Sequence, residues 1–333
     1  EEVSRVRTQF FASFIRGIER IGGFGGKSDI LARNEVFHGS PEHYKATLAR
    51  VEKATPAQLH KAAKDWLSDG VYILEVHPFP DHKTMSTGVD RNKMPEPGDP
   101  PELKLPKLER AKLKNGLNIV LAQRHEIPVV NLRLLIDAGY AADQFAKPGT
   151  AKLAMNMLDD GTKTRNSLEI SEEMANLGAQ LGTGSNLDMS LVTLSALKAN
   201  LEKSLAVFAD VVLNPSMPAT EFARLKQEQL ALIQREKVQP VQMALRVLPV
   251  KIYGETHAYG MPLTGSGTEQ SVSYITVDDL KKFHGTWFKP NHSTLIVVGD
   301  TTLAEIQPML EKVLGAWKPG DTPAKNISKV EHQ

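Results

Sequence analysis

The sequence predicts an α+β protein built of repeated two-layer units, each with an antiparallel-rich β-sheet and helices on one face. An Asn115-Gly116 pair joins two short apolar runs, which is a strong local signal for a hairpin of antiparallel strands. Residues 129–138 alternate apolar and polar side chains, as a strand with one buried face does. Segments with helical periodicity precede and follow these strands. The mixture of antiparallel strands and amphipathic helices therefore predicts a sheet with one helical layer.

The first 80 residues are predicted to be mostly helical. The apolar side chains of residues 1–21 fall near one helical face. Further helices are predicted at 28–37, 41–53 and 55–68, followed by a strand at 71–76. Gly26-Lys27-Ser28 imitates the end of a phosphate-binding loop, but the rest of that motif is missing. The glycines from Gly22 to Gly26 are therefore interpreted as a loop between two helices.

Residues 81–104 are predicted to form an extended, proline-rich linker. A second unit follows, with strands predicted at 108–113, 117–122, 129–138 and 187–197, and helices at 167–177, 199–213, 219–237 and 241–253. The segment Gly182-Thr183-Gly184-Ser185 is interpreted as a bend rather than a phosphate site. The strand at 187–197 is either an edge strand, to which an extended peptide adds by main-chain hydrogen bonds, or an internal strand.

The end of the second unit repeats the beginning of the chain. One shift of 221 positions aligns several pairs, namely Thr55 with Thr276, Leu59 with Leu280, Trp66 with Trp287 and Val76 with Val297. Residues 1–80 are therefore interpreted as the C-terminal part of a preceding α/β unit, and residues 105–318 as a complete unit. Residues 319–333 are expected to be a tail or a further linker.

Composition excludes some classes of partner. The 40 basic and 39 acidic residues give a net charge of +1, which argues against nucleic acid or an acidic membrane surface as the main partner. No apolar run approaches the ~20 residues of a membrane span. The chain has no cysteine, so it has neither disulfides nor a thiolate metal site. It starts with Glu1 rather than a methionine or a signal peptide, and we expect it to begin inside a longer protein.

Residues 149–162 have the frame of a zinc-peptidase helix without its ligands. The inverted motif His-x-x-Glu-His places two metal ligands and a catalytic Glu on one helical face. Here those places hold Lys152, Met155 and Asn156. An ammonium group has no lone pair, a thioether is a soft ligand, and a lone amide is a weak one. The sequence therefore predicts that no zinc binds at this helix.

The remaining titratable residues do not suggest another metal or acid–base site. None of the 10 histidines has a second one four residues away with a carboxylate between them. The pairs Asp159-Asp160 and Asp278-Asp279 consist of adjacent residues, which do not share a helical face. Paired acid–base chemistry is therefore not expected from either of them.

The residues around the degenerate motif resemble the insulinase/pitrilysin family of zinc metallopeptidases. The resemblance rests on Gly149-x-Ala151, Met157-Leu158, Gly161-Thr162 and the hairpin at 114–117. It implies half of a clamshell peptidase whose modules each contain two similar α/β subdomains. The family's further Glu ligand corresponds to Leu232, so every ligand and the base are replaced. The chain is thus similar to the inactive, non-zinc module, with the end of the first module and the inter-module linker before it.

The resemblance also implies roles for Arg246 and Tyr253. In this family the non-zinc module contributes an Arg and a Tyr that face the zinc, where they hold a substrate carbonyl or carboxylate and the oxyanion. Their spacing of seven residues is about two helical turns, so both side chains share a face. The alternative is an amphipathic helix whose Arg pairs with a nearby acid. Exposure of the pair to a concave face favours the first interpretation, and burial favours the second.

Three functional hypotheses follow. In the first, this chain alone is no enzyme and carries no cofactor; it binds unfolded peptide and closes the chamber of a zinc metalloendopeptidase whose zinc lies in a catalytic module or subunit. In the second, it is a purely structural assembly subunit related to processing peptidases. In the third, it is a self-sufficient enzyme of unknown chemistry. Because bacterial members of this kind are commonly exported, the resemblance implies a periplasmic or otherwise exported location.

Overall fold

A computed structural model of the chain describes residues 1–77, 98, 102 and 105–331. Its centre is one six-stranded sheet in the order β1-β2-β6-β3-β5-β4. The strands are β1 (Leu108–Lys112), β2 (Asn118–Gln123), β3 (Val129–Ile136), β4 (Gln180–Ser185), β5 (Ser190–Leu197) and β6 (Ser293–Gly299). Only β2 and β6 run parallel to each other; the other neighbours are antiparallel. The predicted antiparallel-rich α+β fold is confirmed.

The helices within the described ranges agree with the predictions to within a few residues as far as residue 253, and the last three, after that residue, had no predicted range. They are α1 (Glu2–Gly17), α2 (Lys27–His38), α3 (Tyr44–Lys53), α4 (Pro56–Leu67), α5 (Thr150–Asn156), α6 (Ser167–Asn176), α7 (Leu201–Leu213), α8 (Ala219–Lys237), α9 (Pro240–Tyr253), α10 (Glu269–Tyr274), α11 (Val277–Trp287) and α12 (Leu303–Leu314). Several begin with a capping box, in which side chains satisfy the first free N–H groups, as at Thr55 and Thr276. Among the described residues, no helix is both long enough and apolar enough to cross a membrane.

The core lies between one face of the sheet and the helices. Alternate side chains of the central strands are fully buried on that face, among them Leu132 and Leu134 of β3 and Leu295 and Val297 of β6. Their neighbours in sequence point to the other face and are half-buried or exposed. This period of two is what the sequence of β3 predicts, and it places all the large helices of the second unit on one side.

The segment at 71–76, predicted to be a strand, is not a strand in the structure. It is exposed and pairs with no described strand. It consists mainly of apolar residues, as β6 does, but a strand exists only through hydrogen bonds to a neighbour, and no described strand pairs with it. The same contrast holds for Trp66 of α4, which is 83% exposed, and its counterpart Trp287 of α11, which is 3% exposed.

The segment predicted as a bend at 182–185 is also different: it belongs to β4, an edge strand of the sheet. Gly182 and Gly184 suggested a turn, yet the ladder with β5 accommodates both because no Cβ is needed on the half-exposed face. The strand predicted at 187–197 begins at Ser190 and lies between β3 and β4. Of the two alternatives for that strand, the internal one is therefore correct.

The N-terminal helices contact the second unit through α1. The backbone of Gly178 is so close to α1 that a Cβ there would lie 3.0 Å from the side chain of Ala12 and 3.1 Å from that of Thr8. The Arg16 guanidinium donates to the Gly178 carbonyl at 2.5 Å and to Ser195 Oγ at 3.0 Å. Helix α1 therefore packs against α6 and against the residue Gly178, just before β4. Most of the predicted linker at 81–104 lies outside the described residues, and the predicted domain limits stay predictions.

Candidate functional site

The degenerate motif lies on α5, whose start is held by a buried carboxylate. Gly149 precedes the helix with a φ of +99°, a conformation that favours glycine. Asp143 accepts the N–H groups of Gly149 at 2.7 Å and Ala151 at 2.8 Å. Burial raises the pKa of Asp143 to about 7, although these hydrogen bonds act to lower it. The carboxylate thus fixes the angle at which α5 leaves the preceding loop.

The four degenerate positions carry side chains that differ in exposure and in chemistry. Met155 is fully buried in the core, whereas Asn156 is exposed and Leu232 is half-exposed. The Nζ of Lys152 donates to the carbonyl of Thr264 at 3.1 Å. Burial lowers the pKa of Lys152, and the charge of Glu236 opposes that shift. A cation, a thioether, an exposed amide and an alkyl group do not fit a zinc ion.

A buried ion pair lies beside Lys152. Arg246 Nη1 donates to Glu236 Oε2 at 2.6 Å, and the two side chains are only 8% and 6% exposed. The same guanidinium donates to Ser266 Oγ at 2.7 Å and to the carbonyl of Gly267 at 2.7 Å. Glu236 Oε2 also accepts hydrogen bonds from Ser266 Oγ at 2.6 Å and Thr264 Oγ1 at 3.2 Å. These contacts fasten α9 to α8 and to the loop at 264–267.

Sequence reasoning missed Glu236 as the partner of Arg246. One signal was available, because Glu236 lies four residues after Leu232 on α8 and so follows it on the same helical face. The loop residues Thr264 and Ser266 carried no such signal, since they reach the pair only through the tertiary fold. Gln229 was missed for the same reason; its Nε2 donates to the carbonyls of Gly149 and Ser266.

Tyr253, the second predicted site residue, has different partners from Arg246. Its ring stacks on that of His257, with centroids 5.0 Å apart, and meets Tyr259 edge-on at 5.6 Å. Tyr259 donates its hydroxyl to Asp188 Oδ1 at 2.6 Å, and this hydrogen bond raises the pKa of Tyr259 to about 12. Tyr253 is half-buried, and its hydroxyl makes no hydrogen bond to any described residue. The two predicted residues share a helix but contact separate groups.

The edge strand β4 presents unpaired backbone groups next to this cluster. Asn186 N–H donates to the carbonyl of Met189 at 2.9 Å, which makes these two residues a hydrogen-bonded pair at the end of the β4–β5 hairpin. Hydrogen-bonded and non-hydrogen-bonded pairs alternate along an antiparallel ladder, so Leu181, Thr183 and Ser185 direct their N–H and C=O groups outward. The hydroxyl of Tyr140 donates a hydrogen bond to the Ser185 carbonyl at 2.6 Å. The outward groups of Leu181 and Thr183 pair with no described strand.

Together, the two-layer unit and its ligand-free helix define a non-catalytic module of a metallopeptidase fold. Residues 118–262 match the family described as Insulinase (Peptidase family M16), and residues 274–333 match the Peptidase M16 inactive domain. The two matched segments cover more than half of the chain. The chain therefore belongs to the insulinase family of peptidases, which confirms the resemblance seen in the sequence.

Individual relatives agree with this assignment. A probable mitochondrial-processing peptidase subunit beta of Schizosaccharomyces pombe is 26% identical over 220 residues, covering 65% of this chain and 46% of that protein. The zinc protease PqqE of Helicobacter pylori is 23% identical over 222 residues, covering 66% and 49% of the two chains. This chain thus spans about half the length of the curated relatives it matches.

Solved structures show the same fold. A peptidase M16 inactive domain from Pseudomonas fluorescens is 29% identical with a TM-score of 0.64, over 67% of this chain and 54% of that one. The periplasmic protease PqqL from Escherichia coli is 20% identical with a TM-score of 0.59, over 68% and 25% of the two chains. The second likeness is evidence for the fold alone.

Proposed function

We propose that this chain is the peptide-binding, zinc-less module of a zinc metalloendopeptidase, and that it closes the chamber over a catalytic module or subunit that holds the zinc. The observation that carries the proposal is the degenerate helix α5, where Lys152 and Met155 stand at places that need a ligand and a base. The match to the family's inactive domain supports it. The catalytic partner supplies the Lewis acid and the activated water; this chain supplies peptide contacts.

Peptide binding is proposed to occur along β4. The free N–H and C=O groups of Leu181 and Thr183 are the template that an extended chain needs to add a strand. An unfolded peptide offers the same backbone groups whatever its sequence. The edge is short, because α1 packs against Gly178 just before β4 and Tyr140 donates a hydrogen bond to the Ser185 carbonyl. We therefore expect two or three peptide residues to be held by main-chain hydrogen bonds.

Arg246 and Tyr253 receive separate roles in this proposal. The hydroxyl of the half-buried Tyr253 donates a hydrogen bond to the oxyanion that forms on the substrate in the partner's active site. Arg246 reaches a substrate carbonyl only after it leaves Glu236, so in this conformation it is a positioning residue for α9. Because Arg246 is buried here, we propose that it contacts substrate directly only in a conformation in which its pair with Glu236 is broken.

A structural assembly role is the second candidate, and two observations favour it. Burial of Arg246 against Glu236 is the arrangement that this alternative expects. Helix α9 also exposes an apolar stripe at helical spacing, made of Val241, Leu245, Leu248 and Ile252. A partner that covers this stripe explains its composition without any peptide substrate.

The proposed location is outside the cytoplasm. PqqL, which shares the fold, is described as a periplasmic protease. A periplasmic or otherwise exported parent protein is also what the resemblance in the sequence implies. Fractionation of cells that express the full-length parent protein tests this point.

Binding of an unstructured fluorescein-labelled peptide, followed by anisotropy, tests the proposed function. Thr183→Pro removes an outward N–H group from an edge strand, a place where proline is tolerated. We expect Thr183→Pro to weaken peptide binding at least about tenfold with little change in the thermal unfolding midpoint, because one of the few edge hydrogen bonds is lost. Thr183→Val keeps the N–H group and serves as the matched control. Wild-type protein that binds no peptide at all would favour the assembly role.

Elemental analysis after zinc loading tests the other half of the proposal. The chain alone should take up no stoichiometric zinc and should not cleave an unstructured quenched peptide. One bound zinc ion per chain, together with chelator-sensitive cleavage, would contradict the proposal and revive the hypothesis of a self-sufficient enzyme.

A further inference from the structure

A crevice runs beside the free edge of β4, between α1, α6 and the strand. It is lined by residues that include Gln9, Asp159, Ser167, Ser171, Met174 and Leu181. Asp159 is half-buried there and accepts a hydrogen bond from Thr183 Oγ1 at 3.2 Å. It forms no ion pair with any described residue, whereas its neighbour Asp160 lies 3.8 Å from Arg224. The crevice therefore contains one carboxylate without a cation.

Strand geometry fixes what an added peptide would place next to Asp159. Thr183 directs its N–H and C=O groups outward, so an antiparallel peptide residue that exchanges both bonds with it lies directly opposite. Opposite residues carry their side chains on the same face, with Cβ atoms about 4.5–5.5 Å apart. The Thr183 side chain points to Asp159. The opposing peptide side chain is therefore directed to the same carboxylate.

We propose that Asp159 selects peptides with a lysine or arginine at the position opposite Thr183. The inference rests on the proposed function, since it assumes that peptides add to β4. A basic side chain supplies the missing cation and forms a charge-assisted hydrogen bond with the carboxylate. A neutral side chain leaves the carboxylate without a cation, and an acidic one adds repulsion in a partly desolvated place. Burial also raises the pKa of Asp159, as expected for a carboxylate without a cationic partner.

The test uses three fluorescein-labelled nine-residue peptides that differ only at the central position, which is Lys, Gln or Glu. Anisotropy titrations at low ionic strength should show the Lys peptide binding about tenfold more tightly than the Gln peptide, and the Glu peptide binding most weakly. Asp159→Asn should reduce affinity for the Lys peptide to the level of the Gln peptide. Affinity for the Gln peptide should stay unchanged, which also reports that the variant is folded.

Asp278→Asn is the matched control, because it removes one exposed carboxylate from the first turn of α11 without contacting β4. It should leave the order of the three peptides intact. Equal binding of all three peptides to wild-type protein overturns the inference while the proposed function survives. Loss of Lys and Gln peptides alike in Asp159→Asn also overturns it, since Asp159 would then support the strand itself. If no peptide binds to wild-type protein, the proposed function fails and the inference fails with it.

Discussion

At the residue scale, the sequence identified the unusual positions but not their partners. Lys152 and Arg246 were singled out separately, one from a motif and one from a resemblance. The structure shows that Glu236 interacts with both residues: it accepts a hydrogen bond from Arg246, and its charge acts on the pKa of Lys152. Helical periodicity gives the face on which a residue lies, but not which loop covers that face. That is why Thr264 and Ser266 were beyond prediction.

The buried pair makes a prediction about stability. Arg246→Met leaves the Glu236 carboxylate buried without its ion-pair partner, so we expect the free energy of unfolding in urea to fall by about 3–5 kcal/mol. The exposed pair of Lys312 and Glu202 provides the control, because Lys312→Met should cost less than about 1 kcal/mol. If both substitutions lowered the free energy of unfolding by similar amounts, burial of the Arg246–Glu236 pair would not increase its contribution to stability.

Asp143 predicts a pH dependence. Its pKa is about 7 in the folded protein and near 3.8 when exposed. Between these values the folded state binds a proton that the unfolded chain has released, so this contribution to stability is full below about pH 4 and is lost as the pH rises through 7. Asp143→Asn removes the titration. Urea unfolding from pH 4 to 8 should therefore show wild-type stability declining relative to the variant; a constant difference would be evidence against the shift.

At the scale of elements, patterns with a strong period were predicted well and glycine-rich ones were not. The alternation in β3, the Asn115-Gly116 turn and the long helices all carry signals that depend on near neighbours in sequence. Strand β4 carries none, because Gly182 and Gly184 weaken any alternation and its partner β5 defines it. The segment at 71–76 shows the reverse case, with a clear apolar run and no described partner.

The docking of α1 can be tested through Gly178. This residue has a φ of +61°, and a Cβ would lie 3.0 Å from the side chain of Ala12. Gly178→Ala should therefore push α1 away from β4, and amide hydrogen exchange in α1 should accelerate about tenfold or more. Gly285→Ala in α11 has open space around the new methyl group and should leave exchange in α1 unchanged. Unaltered exchange in Gly178→Ala would mean that α1 is held by other contacts.

At the scale of the whole molecule, the two copies of the sequence repeat differ in burial: the later copy is packed into the core, and the earlier copy is exposed. Helix α11 packs against α5, and β6 lies between β2 and β3. Their counterparts, α4 and residues 71–77, keep the same apolar positions but expose them among the described residues. The prediction that residues 1–80 are the C-terminal part of a preceding unit accounts for this contrast, and it stays a prediction.

Substitution of the two equivalent tryptophans tests that interpretation. Trp287→Ala should lower the free energy of unfolding by about 3–5 kcal/mol, because it opens a cavity in the core. Trp66→Ala should change it by no more than about 0.5 kcal/mol in this chain, since its side chain is 83% exposed. Both are measured by urea unfolding. Comparable losses would show that α4 already has a packed environment here.

The position of β6 has a consequence for synthesis. This strand is the last of the six in sequence, yet it fills the centre of the sheet between β2 and β3. While a ribosome makes the chain, the sheet has two unpaired inner edges until residue 299 emerges, and such edges are prone to wrong pairing. Residues 71–77, which form an apolar run that aligns with β6 in the repeat, are made more than 200 residues earlier. Correct assembly therefore requires that residues 71–77 stay out of the gap between β2 and β3 until β6 has been made.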